Sequence, residues 1–74
     1  MFTVQIIERS TGKPVYYKKV SVAFNGLFRG CARDQYTDNN GEAHFSEDNG
    51  EGIIYVQGSE VYRGRIEGRI VRYI

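Results

Sequence analysis

Thr37-Asp38-Asn39-Asn40-Gly41-Glu42-Ala43-His44-Phe45 reads as a tight turn running into a half-buried strand. Asx residues and Gly tolerate the positive φ that such turns require. Beyond them Ala43 and Phe45 point one way and Glu42 and His44 the other, the two-residue period of a strand with one face in a core. The same period recurs on both sides. Phe2, Val4 and Ile6 alternate with Thr3 and Gln5, and Val20, Val22 and Phe24 alternate with Ser21 and Ala23. Ser10-Thr11-Gly12-Lys13-Pro14 is a turn, and Asn25-Gly26 is a strong hairpin signal. Leu27 and Phe28 open an irregular or bulged strand that ends near Thr37. Ser46 to Gly52 reads as a polar, acidic loop. Ile53-Ile54-Tyr55-Val56 is apolar on both faces, which suits a central strand. Gly58-Ser59 reads as a turn, and the segments Val61–Ile66 and Arg69–Ile74 follow, joined at Glu67-Gly68. No window keeps helical spacing with caps. Short strands between turn signals mean an all-β sandwich or barrel.

The chain has 74 residues, enough for one small domain over 1–74. A β-sandwich commonly runs to about 100 residues, so this one is lean, and pairing an edge strand across a dimer would add to its core. No apolar run approaches the roughly 18 residues of a membrane helix, and no membrane association is expected. One Cys excludes an intrachain disulfide. Met1-Phe2-Thr3-Val4 leads into strand pattern with no basic and apolar leader. The chain is therefore expected to be cytoplasmic if complete, its alternative being a module cut from a larger exported protein.

With the strands placed, the order of landmarks resembles a known group. A first apolar strand leads to Thr11-Gly12-Lys13-Pro14-Val15, then to Val20-Ser21-Val22-Ala23-Phe24 and Asn25-Gly26, then to the segment 37–45 and another apolar strand. This is similar to the carboxypeptidase regulatory-like domains of the transthyretin-like (prealbumin-like) β-sandwich group, over residues 3–57. The resemblance implies a small Greek-key β-sandwich of about seven short strands. It also implies an accessory, adhesive or structural role, because the shared segment is a turn and strand with no chemistry of its own.

Catalysis finds little to work with. Nucleophilic chemistry needs an activated Ser, Cys or Thr with a base in reach. Cys31 and His44 are the single Cys and the single His of the chain, and each reads more simply as a packing or surface residue. The hydroxyisourate hydrolases share the transthyretin-like fold, and they look like longer chains with several site His and a terminal Tyr-Arg-Gly-Ser. Here Tyr62-Arg63-Gly64 is followed by Arg65, and a second His is missing. Related adhesin modules form Lys–Asn or Lys–Asp isopeptide bonds. Lys18 and Lys19 precede the second strand, but no Asn or Asp occurs after Asn49. The expectation is a protein that is not an enzyme and needs no cofactor. Four clustered zinc ligands are not apparent. Asp38, Asn40 and Glu42 alternate like calcium ligands, and Glu47, Asp48 and Glu51 form a second acidic segment, although turns favour such residues anyway.

Ten basic and nine acidic residues give a net charge of +1 that hides segregation. Residues 1–24 carry four basic and one acidic group, 25–57 two and six, and 58–74 four and two. Opposed charged faces suit self-association or a protein partner. The candidate binding residues are Tyr62, Arg63, Arg65, Arg69, Arg72 and Tyr73, which combine guanidinium groups with rings that can stack on a base or sugar. Tyr16 and Tyr17 beside Lys18 and Lys19 make a second, weaker patch. A non-catalytic structural or protein-interaction module is the first expectation. Its alternative is a module that binds carbohydrate or single-stranded nucleic acid through the C-terminal Arg/Tyr surface.

Overall fold

Phe2, Val4 and Ile6 turn inward from β1 (Phe2–Ile7), as their spacing requires, and Thr3, Gln5 and Ile7 turn outward. A computed structural model describes residues 1–26 and 30–74. The later strands follow the same rule: β2 (Lys19–Phe24), β3 (Gln35–Tyr36), β4 (Glu42–Phe45), β5 (Gly50–Val56), β6 (Ser59–Ile66) and β7 (Gly68–Tyr73). They sort into a three-stranded sheet, β4-β1-β7, and a four-stranded sheet, β3-β2-β5-β6. Four of the six connections pass from one sheet to the other, and only β2–β3 and β5–β6 stay within one. The result is a small all-β Greek-key sandwich that does not close into a barrel.

The two sheets meet on their inward residues. Phe2 stacks on its cross-strand partner Phe45 with ring centres 4.9 Å apart, and meets Phe24 of the opposite sheet edge-on at 5.9 Å. Val4, Ile6, Val20, Val22, Ile54, Val56 and Ile66, with Ala32 and Ala43, complete the core cluster. β1 is central in its sheet, antiparallel to β4 and parallel to β7, and β5 is central in the other. Ile53 and Tyr55 face outward from β5, which is why 53–56 is apolar on both faces.

Three expectations shift. β5 starts at Gly50, inside the segment read as a loop. Gly50 and Gly52 take inward positions and are buried, but with no side chain they leave no apolar signal. The turn before β6 lies at Gln57-Gly58, one residue earlier than expected. Both have positive φ, 51° and 86°, the type I′ geometry that joins Val56 to Ser59. Among the described residues after Asn25-Gly26, Gly30–Ala32 lies beside β2, where Phe24 N–H donates to the Gly30 carbonyl and Ala32 N–H to the Val22 carbonyl. Leu27 and Phe28 lie outside the described residues. The described remainder is irregular, with a bridge at Cys31 and the two-residue β3.

The 37–41 turn ties the sheets' connections together. Asp38 Oδ1 accepts the amides of Asn40 and Glu42 at 2.9 and 3.0 Å, and Asp38 N–H donates to the Glu42 carbonyl at 2.9 Å. The Glu42 amide is the largest influence holding the Asp38 carboxyl below its ordinary pKa, with the Asn40 amide and His44 acting the same way. Gly41 has φ of 73°, and a Cβ there would stand 2.5 Å from the Ile6 carbonyl oxygen and 3.0 Å from Pro14 Cβ. Its own carbonyl accepts the Ile6 amide at 2.8 Å. Gly12 has the same φ with open space around it. Gly12→Ala should therefore cost about 1 kcal/mol for the left-handed backbone alone. Gly41→Ala should cost at least about 3 kcal/mol or abolish folding, because the backbone it meets has no room to give. Urea denaturation of both variants measures this, and equal costs would contradict the close approach.

Candidate functional site

The six C-terminal candidates divide among three places. On β6, Arg63 and Arg65 face outward from the four-stranded sheet, opposite Ile53 and Glu51. Arg63 holds Glu60 through Nε at 3.2 Å and its terminal nitrogen at 2.9 Å, and Arg65 holds Glu67 at 2.7 Å. On β7, Arg69 lies on the outer face of the other sheet, bonded to Gln5 Oε1 at 2.9 Å and ion-paired to Glu42. Tyr73, on the same face four pairs further along, receives Arg9 over its ring at 6.0 Å. Arg72 and Tyr62 meet at the seam between the sheets. The Arg72 guanidinium sits 5.5 Å from the Tyr62 ring centre and donates to the Val61 carbonyl at 2.9 Å. Tyr62 Oη donates to the Arg65 carbonyl at 2.6 Å. Val61 is the extra residue of a β-bulge, which is how its carbonyl comes to face β7. Each of the four arginines thus bonds one or two of its guanidinium nitrogens inside the chain.

A different surface holds its groups less committed. Tyr16, Tyr17 and Tyr36 are 63%, 64% and 50% exposed, yet they touch one another. Tyr17 stacks on Tyr36 with centres 4.8 Å apart, and Tyr16 leans on Tyr17 at 5.9 Å. The register explains the meeting, since Tyr36 pairs with Lys19 across β2 and β3. Tyr17 has φ of 59°, which a bulky residue keeps only under outside constraint. Thr37 supplies it. Buried, it accepts the Tyr17 amide on its carbonyl at 2.9 Å and the Lys18 amide on Oγ1 at 2.8 Å, and gives its own amide to the Lys18 carbonyl. Among the described residues, no carboxylate pairs with Lys18 or Lys19. The sequence shows Tyr16 to Lys19 as a patch, but Tyr36 joins only through strand pairing, and no spacing announces it.

A third constellation lies on the outer face of the three-stranded sheet. Asp38, Glu42 and His44 bring one ligand atom each to within 4.8 Å of one another. Asp38 and Glu42 belong to the alternating acidic pattern of the sequence, and His44 is its strand neighbour. Cys31 pairs with Ala23 and so faces outward from the four-stranded sheet. His44 faces outward from the other, so the sandwich stands between them. Among the described residues no helix is long and apolar enough to cross a membrane.

No protein-family model matches the chain, and no curated protein matches it. Among solved structures it is similar to a 9R-lipoxygenase from Cyanothece PCC8801, with a TM-score of 0.51 and 17% identity. The match takes in 93% of this chain and 16% of that one, so the chain spans a small part of that protein's length. The likeness is one of fold alone.

Thr37→Val keeps the shape and removes the hydroxyl acceptor of the Lys18 amide. It should cost about 1–3 kcal/mol in urea denaturation and alter the Tyr17 ring resonances. An unchanged midpoint would mean that this hydroxyl does not hold the tyrosine segment.

Proposed function

We propose that the chain is a non-catalytic interaction module that meets its partner through the Tyr16, Tyr17 and Tyr36 surface flanked by Lys18 and Lys19. The observation that carries this reading is the stacked, exposed tyrosine trio held by Thr37. Large rings left open at low entropic cost are favoured anchors at protein interfaces. The Lys18 and Lys19 ammonium groups, which pair with no carboxylate among the described residues, suit an acidic peptide segment. The separation of Cys31 from His44 by the sandwich supports a role without catalysis. Membership of the transthyretin-like, carboxypeptidase regulatory-like group is part of the same proposal. It is supported by the placement of the 37–45 segment as turn and β4 in a sandwich of three and four strands.

The alternative, a carbohydrate or single-stranded nucleic acid ligand on the C-terminal Arg/Tyr residues, draws on Arg63 and Arg65 sharing the outer face of β6. Against it, Arg63 and Arg65 are already ion-paired to Glu60 and Glu67.

Chemical-shift mapping on the labelled chain separates the two. A short acidic peptide should shift residues 16–19 and Tyr36, and Tyr17→Ser should weaken its binding by about tenfold. Shifts centred on residues 62–73 with oligothymidine or a neutral oligosaccharide would instead favour the C-terminal surface. Peptide binding untouched by Tyr17→Ser would overturn the tyrosine reading.

A further inference from the structure

His44 holds the centre of the third constellation. Its Nε2 lies 3.7 Å from Asp38 Oδ2 and 3.7 Å from Glu42 Oε1. Both distances are too long for hydrogen bonds. They are close to the separation of about 3.3–3.6 Å between neighbouring ligands on a tetrahedral zinc ion, given its bonds of about 2.0–2.2 Å to nitrogen and oxygen.

The other atom of each side chain has a partner of its own. His44 Nδ1 lies 2.9 Å from Thr3 Oγ1 on β1, its cross-strand neighbour. With the proton on Nδ1 and donated to that oxygen, the Nε2 lone pair is left facing the carboxylates. Asp38 Oδ1 is occupied by two backbone amides of its turn. Glu42 Oε2 is occupied by Arg69 of β7, itself braced by Gln5. Three separate contacts therefore fix three groups, and each group keeps one possible ligand atom within 4.8 Å of the other two. Surface carboxylates alone do not make such an arrangement. The oriented imidazole does, and it also sets the chemistry, because calcium and magnesium take oxygen ligands whereas zinc accepts nitrogen readily.

We propose that His44 Nε2, Asp38 Oδ2 and Glu42 Oε1 form a binding site for a divalent transition-metal ion of the zinc type. The fourth position is open to water, since the His44 side chain is 62% exposed and that of Asp38 46%. The site lies on the sheet opposite β3 and its Tyr36. It stands independently of the function proposed above.

Calorimetric titration with Zn²⁺ in a non-chelating buffer tests it. The chain should carry Cys31→Ser, because the exposed thiol would bind zinc on its own. A single Zn²⁺ should bind per chain. His44→Gln should weaken binding by about tenfold or more, as loss of a direct ligand does. Asp38→Asn keeps the oxygen that accepts the turn amides, and should weaken it too. Both variants are compared after their thermal unfolding shows them folded. Excess Ca²⁺ should not displace the zinc. Zinc binding of equal strength with and without His44, or ready displacement by Ca²⁺, would overturn the proposal.

Discussion

The carbonyl of Ile6 lies where a Cβ on Gly41 would have to stand, and the two backbones are bonded through the Ile6 amide and the Gly41 carbonyl. Val15 adds its amide to the same Ile6 carbonyl at 3.0 Å. At this point β1, the segment after it and the turn before β4 are brought to one spot. A chain of 74 residues has little core to spare. Backbone contacts that fix the connections between sheets therefore carry much of the specification. Only glycine allows both the positive φ and the approach.

The same short segment builds both surfaces discussed above. On one side of the turn, Tyr36 enters the aromatic trio and Thr37 pins the strained Tyr17 backbone. On the other, Asp38, Glu42 and His44 converge on the outer face of the opposite sheet. The remaining basic surface is organised differently. Arg63, Arg65, Arg69 and Arg72 lie on edge strands and take partners from their own chain. Charges on edge strands discourage pairing with a second sheet, and exposed ion pairs of this kind add little to stability. Among the described residues, Lys18 and Lys19 beside the tyrosines take no such partner.

Much of this was legible in the residues. The alternations in β1, β2 and β4 name their buried faces, and the double-sided apolar run at 53–56 marks a central strand. What the sequence hides has physical causes. Gly50 and Gly52 face the core without side chains, so the start of β5 looks like loop. Gln57 accepts a positive φ that its identity does not advertise. The C-terminal Arg and Tyr residues look like one patch along the chain, but β6 and β7 belong to different sheets, so a bulge and a crossover divide them. Tyr36 meets Tyr17 only because β3 pairs with β2, a long-range fact that local spacing does not contain.

Native-state amide hydrogen exchange is the direct test of the turn's place in the fold. The Ile6 amide, bonded to Gly41, and the Glu42 amide, bonded to Asp38, should exchange only through global unfolding, at the free energy shown by Ala23 and Ile53 in the opposite sheet. Exchange of Ile6 and Glu42 through a local opening of much lower free energy, with Ala23 and Ile53 still protected, would show that the sandwich stands without the turn and would contradict this account.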